Sequence, residues 1–209
     1  IFPGTVFAGI LITGLTASLS LVACFYFRKR NLTSLSLTAL LFSIGDLTYG
    51  ISVDVLHLDF PNKFGCLIYV VPYMGAMSLA IAIAYTALRS LKDRYLNYAA
   101  VIVCVGATLI SFDVIVMPAL FHKVPELPNY LKALTVLYTI LESAVIGLSV
   151  TLLLVFYSIP IQMMLFGVLL MHVSDIALRY QSVDTSLLGV DFFTYGWTVG
   201  VLIITASSI

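Results

Sequence analysis

Charge is what this sequence has least of. Only 10% of its 209 residues are Asp, Glu, Lys or Arg, where a soluble domain carries about 25%. The ten Lys and Arg balance the ten Asp and Glu, so no excess of one sign exists to attract nucleic acid. Histidine (3), cysteine (3) and tryptophan (1) are also scarce. Cys24, Cys66 and Cys104 are odd in number and show neither a disulfide framework nor metal-ligand spacing, so they read as buried thiols. No His pair exists to found a metal site, and no cofactor or metal is expected. Long polar linkers are missing too. These shortages exclude a soluble enzyme and a disordered chain.

Hydrophobic sequence is what fills the chain: 61% of the residues are apolar and the mean hydropathy is +1.11. A membrane-crossing helix needs roughly 20 mostly apolar residues. Seven such stretches follow one another, at about 3–27, 32–52, 66–88, 97–119, 130–157, 160–180 and 190–209. Runs such as Val150 to Tyr157 do not alternate, which argues against the strands of a barrel. The first stretch has no basic residues before it and is too long for a signal-peptide core. The expected fold is an all-α membrane protein, a seven-transmembrane helix bundle forming a single domain over residues 1–209.

Basic residues near span ends set orientation. Arg28, Lys29, Arg30, Arg89, Lys92 and Arg94 fall on one side, and Lys63, Lys123, Lys132 and Arg179 on the other. That bias predicts an N-terminus outside and a cytoplasmic C-terminus. Asn31-Leu32-Thr33 fits a glycosylation sequon, but this topology leaves it in the cytoplasm. The last apolar stretch runs to Ile209, and a cytoplasmic continuation is expected beyond it.

Ionisable residues inside spans are costly and tend to face a bundle interior or a wet cavity. Asp46, Asp113, Glu142, His172 and Asp175 are the cases here, and span direction places all five in the outer half of the bilayer. His172, Asp175 and Arg179 stand at i, i+3, i+7 and share a helix face, with Asp175 and Arg179 spaced for an ion pair. Tyr138, Glu142 and Ser149 form a second stripe, Tyr69 and Tyr73 beside Pro72 a third, and Ser43, Asp46 and Tyr49 a broader arc. Trp197 stands in the last span. A plain reading stands beside each: a lone membrane Asp can simply hydrogen-bond a neighbouring helix, and a lone His can be a satisfied core residue. Taken together, Asp46, Tyr49, Tyr69, Tyr73, Asp113, Tyr138, Glu142, His172, Asp175, Arg179 and Trp197 are the expected ligand-binding set of an outward-facing polar pocket. Gly9, Thr13, Thr16 and Ser20 make a small-residue face suited to close helix packing. The second and sixth spans also resemble one another, each ending with a small residue and Asp (Gly45-Asp46, Ser174-Asp175) before an aromatic-rich return.

Several seven-helix readings fail on particular residues. The stretch 190–209 has no lysine for a retinal Schiff base. Asp93-Arg94-Tyr95 matches a receptor signature, but no Asn-Pro-x-x-Tyr follows in the last span and the loop at Ser158-Ile159-Pro160 is nearly absent. Pro160-Ile161-Gln162 is not the Pro-Gln pair of a PQ-loop carrier, and the first half has no counterpart.

Residues spread over six spans carry a positive likeness. Gly45-Asp46 with Tyr49, Phe60-Pro61 followed by Tyr69 and Tyr73, Ile110-Ser111-Phe112 before Pro118, Tyr138 before Glu142, Ser174-Asp175, and Asp191 with Trp197 before Ala206-Ser207 occur in that order. In this the chain resembles the seven-helix sensor module that precedes GGDEF or GGDEF–EAL domains in bacterial cyclic-di-GMP enzymes. Where that module more often has Tyr-Pro and Asp in the fifth helix, this chain has Glu142. The resemblance implies a bacterial inner (plasma) membrane receptor that takes a small-molecule or lipid ligand. It implies signalling through helix seven to a cytoplasmic domain, with a homodimer among the expected partners and no enzyme activity in this chain. A second likeness competes. Gly167 to Asp175, Thr194-Tyr195, Leu202 to Ser207 and Ser43-Ile44-Gly45-Asp46 resemble the YhhN-like lysoplasmalogenases. That would imply hydrolysis of a lysolipid vinyl ether with Asp46 and Asp175 as acid and base. Departures are one span rather than two before the first Asp, Tyr69 or Tyr73 where a His is usual, and no Lys-Pro near the first loop. An accessory subunit of a membrane complex is the third expectation.

Overall fold

The structure, a computed structural model, describes residues 3–56, 66–113, 129–183 and 191–209. Every regular element among these residues is helical: α1 (Pro3–Lys29), α2 (Thr33–Tyr49), α3 (Cys66–Ser90), α4 (Arg94–Ser111), α5 (Asn129–Leu153), α6 (Ile159–Val183) and α7 (Asp191–Ser208). Six of them are long and apolar enough to cross a membrane, and the apolar stretch described in α7, Tyr195–Ser208, is shorter. Large apolar side chains such as Phe25, Ile102, Ile110 and Leu154 stand exposed, while among the described residues as many polar as apolar side chains are buried. A protein in water would reverse that arrangement. In lipid it satisfies both sides, because the tails accept the apolar surface and the interior pairs the polar groups. The chain is built as an integral membrane protein.

Two tight links join neighbouring helices. In the link 30–32, Asn31 takes φ 59°, and in the link 91–93, Lys92 takes φ 54°. Asn tolerates the left-handed region because its short side chain bonds locally, whereas Lys has no such help. Asp93 then caps α4, its carboxylate accepting from the backbone N–H of Tyr95 at 2.8 Å and of Leu96 at 3.4 Å. The receptor-like triplet at 93–95 is thus a helix start.

Several observed bounds differ from the expected spans, among them the start of α4 at Arg94 rather than 97 and the end of α6 at Val183 rather than 180, and two more have a visible backbone cause. The fifth apolar run was expected to stay helical to residue 157, but α5 ends at Leu153 and 154–158 make the connection to α6. Ser158 already accepts the first bond of α6, from Gln162 N–H at 2.9 Å, so the turn has to use the apolar residues before it. The second run stays helical past residue 52, because α2 continues into a π-helical segment, Gly50–Val55. The Leu56 N–H reaches back five residues to the Ile51 carbonyl at 3.0 Å. Residues 114–119 of the fourth expected span lie outside the described residues.

The chain divides into two compact units, Ile1–Ala80 with Ser208–Ile209, and Ile81–Ser207. In the first, α1 and α2 pack through small side chains, with Thr16, Ala17, Ser20, Ala23 and Ala39 buried. Ser43 Oγ donates to the Ala17 carbonyl at 2.8 Å, and Ser36 Oγ to the Cys24 carbonyl at 3.0 Å. Small residues let the backbones approach closely enough for these inter-helix bonds.

The second unit has its apolar core at Leu88, Ala100, Leu148, Leu152 and Leu165. There α4 and α5 meet at Gly147, where an added Cβ would lie 2.7 Å from the Cys104 Cα and 2.8 Å from its backbone N. The α6–α7 crossing is equally tight. A Cβ at Gly167 would fall 2.7 Å from the Gly200 carbonyl oxygen, and one at Gly200 would fall 2.7 Å from the Gly167 carbonyl oxygen.

Candidate functional site

Nine of the eleven expected ligand-binding residues gather in two clusters, one in each unit. In the first, Pro72 interrupts α3, its missing N–H leaving the Ile68 carbonyl without the usual partner. The next residue, Tyr73, donates its phenol hydrogen to Asp46 Oδ1 at 2.6 Å. Asp46 is only 2% exposed, so this short bond to a carboxyl oxygen is made out of contact with solvent. Gly45 makes the approach feasible, since a Cβ there would sit 2.6 Å from Tyr73 Cε1. Phe42 flanks the same ring with centroids 6.2 Å apart. One turn further along α2, Tyr49 meets Tyr69 edge-on, with centroids 5.2 Å apart and planes at 80°. Steps of +3 on α2 and −4 on α3 thus make two rungs of an antiparallel helix pair, Asp46–Tyr73 and Tyr49–Tyr69.

The second cluster uses the same stepping. On α5 the step from Tyr138 to Glu142 is +4, and on α6 the step from Asp175 to His172 is −3. Tyr138 donates its phenol hydrogen to Asp175 Oδ2 at 3.1 Å. Glu142 Oε1 stands 3.6 Å from His172 Nδ1, within ion-pair distance and beyond a direct hydrogen bond. Glu142 is 0% and His172 1% exposed. Trp197 of α7 sets its ring against the imidazole, centroids 6.3 Å apart at 80°. Next to Glu142, Thr139 and Ser143 are also fully buried, and they bond back to the Thr135 and Thr139 carbonyls of their own helix. Those two hydroxyls are satisfied locally.

Of the eleven expected ligand-binding residues, Asp46, Tyr49, Tyr69 and Tyr73 meet in the first unit, and Tyr138, Glu142, His172, Asp175 and Trp197 in the second. Asp113 lies exposed just past the end of α4. Arg179 lies on α6, but its side chain is outside the described residues, and so is the expected pairing with Asp175. Asp46 takes its phenol from the following helix and Asp175 from the preceding one, so this pairing does not follow the likeness between the second and sixth spans. Among the described residues no three His, Cys, Asp or Glu side chains gather where they could hold a metal ion.

What the sequence reading missed is the packing beside Trp197. Gly196 faces Ser174, whose Oγ would lie 2.1 Å from an added Cβ, and Gly200 faces Met171 and Gly167. The signal was present as Gly196-Trp197-Thr198-Val199-Gly200, a G-x-x-x-G pattern in an apolar helix. It brings the backbone of α7 directly against α6 beside His172 and Asp175.

Chemically, a Glu–His pair with one proton between them is neutral overall whether it exists as an ion pair or as two uncharged groups. Gain or loss of a proton would leave a net charge on two almost wholly buried side chains, which is costly. A ligand carrying charge or strong hydrogen-bonding groups would have the same leverage. Comparison with protein families, with curated proteins and with solved structures gives no match.

Proposed function

We propose that this chain is the signal-input module of a membrane receptor, and that the α5–α6–α7 cluster is its sensing element. The observation that supports this most is the pairing of Glu142 with His172, both buried, one helical step from Tyr138–Asp175 and in contact with Trp197. Burying Glu142 with His172, beside the part-buried Tyr138–Asp175 bond, is an expensive way to hold two helices together. Small-residue packing, which holds α6 to α7 and α4 to α5, joins helices without that cost. In this proposal all seven helices cross a bacterial inner membrane, with the N-terminus outside and the C-terminus in the cytoplasm. A small polar or lipid ligand shifts the equilibrium between two arrangements of the cluster, and α7 passes that shift to a cytoplasmic partner.

The test joins the chain, through α7, to a diguanylate cyclase domain and reads cyclic-di-GMP in cells. Glu142→Gln and Asp175→Asn should each move the output by about fivefold or more, the low end of ordinary inter-site coupling. Both variants must reach the membrane at the parent level. Unchanged output from both would overturn the sensory reading. Release of an aldehyde from a lysolipid vinyl ether by the purified chain, abolished by Asp46→Asn, would replace it with the hydrolase reading.

A further inference from the structure

The second unit carries a groove of about 540 Å³ that the sensing cluster does not use. That volume is ordinary for a small-molecule site. Leu88, Ala100 and Leu148 are buried in it, Val101 and Val105 line it from exposed positions on α4, and Arg89 and Asn97 are its charged and amide members. From Asn97 to Val105 the lining follows α4 for about 12 Å at 1.5 Å per residue. The charged and amide members belong to one end, since Arg89 is in the last turn of α3 and Asn97 in the first turns of α4.

Two observations point to a lipid headgroup layer at that end. Tyr95 (84% exposed) and Tyr98 (66% exposed) project from the start of α4, as tyrosines do at a membrane–water interface. Arg89, Lys92 and Arg94 make the end cationic. The one acid among them, Asp93, already accepts two backbone N–H groups as the cap of α4. A guanidinium matches a phosphate by paired hydrogen bonds, and the apolar remainder of the groove matches hydrocarbon.

We infer that the α3–α4–α5 groove of the second unit binds one acyl chain of an anionic phospholipid, with Arg89 and Asn97 holding the headgroup phosphate. The site depends on the membrane placement of these helices and not on the sensory reading.

Native mass spectrometry of the full chain in detergent, titrated separately with phosphatidylglycerol and phosphatidylcholine, tests it. One phosphatidylglycerol should bind about tenfold more tightly than phosphatidylcholine, a difference near 1.4 kcal/mol. Arg89→Gln should remove the preference. Val101→Trp, which fills the groove from an exposed position, should block both lipids, and Arg28→Gln on α1 should change neither. Asn97→Leu is a second probe of the headgroup end: both lipids carry the phosphate it holds, so it should weaken both and leave the preference for phosphatidylglycerol in place. Equal uptake of the two lipids, or equal loss on Arg89→Gln and Arg28→Gln, would show only annular lipid and overturn the site. A dimer mass that Val101→Trp converts to monomer would show a second copy in the groove and also overturn it.

Discussion

Tyr73 does two things that one substitution separates. Its ring lies over Gly45 and its hydroxyl donates to Asp46 at 2.6 Å. Tyr73→Phe keeps the ring and removes the donor, leaving a buried carboxyl oxygen short of one bond. The expected cost is about 1–3 kcal/mol, read as a lowered thermal midpoint of the detergent-solubilised protein. A midpoint equal to the parent would show that this hydroxyl adds nothing to stability. The pair was legible in the sequence because both residues belonged to short polar stripes at helical spacing in adjoining spans. Asp93 was legible only as part of a triplet, since a cap is recognised from where a helix begins, and hydropathy gave that start as 97. Asp113 had the same profile as Asp46, an acid near the end of an apolar run. What separates them is that a tyrosine from a neighbouring helix reaches Asp46, while Asp113 is left exposed, and no count along one helix carries that information.

Glycine shows how much of an element's packing escapes hydropathy. Gly200 and Gly106 both sit inside apolar helices and score alike. A Cβ at Gly200 would lie 2.6 Å from Met171 Cγ, 2.7 Å from the Gly167 carbonyl oxygen and 3.0 Å from Met171 N, whereas one at Gly106 would meet nothing within 4 Å. Backbone atoms of a packed helix cannot turn aside as a side-chain tip can. Gly200→Ala should therefore destabilise by about 1–3 kcal/mol through overpacking. Gly106→Ala should be neutral or stabilise by about 0.5–1 kcal/mol, since alanine is the better helix former. Thermal unfolding of the two variants side by side decides it, and equal shifts would mean that the α6–α7 crossing is looser than described. Helix existence was plain from the apolar runs. Helix ends were less so, because Leu154–Tyr157 are as apolar as the helix they follow and yet form a turn. The π-helical segment after Tyr49 was not legible at all, since one extra residue in a turn leaves composition unchanged.

Orientation belongs to the whole molecule, because it depends on how charge is shared between the two membrane faces and not on any one contact. The proposed arrangement rests on six Lys and Arg near one set of helix ends against four near the other. Asn31 and Ser90 are separated by two proposed crossings, so they must share a face whichever way the chain is inserted. Asn62 is one proposed crossing from each, so the proposal puts it on the opposite face. With Cys24, Cys66 and Cys104 changed to Ser, single cysteines at these positions report the arrangement without altering any charge. A membrane-impermeant maleimide should label Asn62→Cys in intact cells and reach Asn31→Cys and Ser90→Cys only after the membrane is opened. The reverse pattern at all three would invert the orientation and keep the crossings. Labelling of Asn31→Cys and Ser90→Cys from opposite sides would remove one crossing between them. The Arg89 end of the lipid groove follows Ser90 in this test: cytoplasmic labelling of Ser90→Cys places that cationic end in the leaflet where anionic headgroups concentrate.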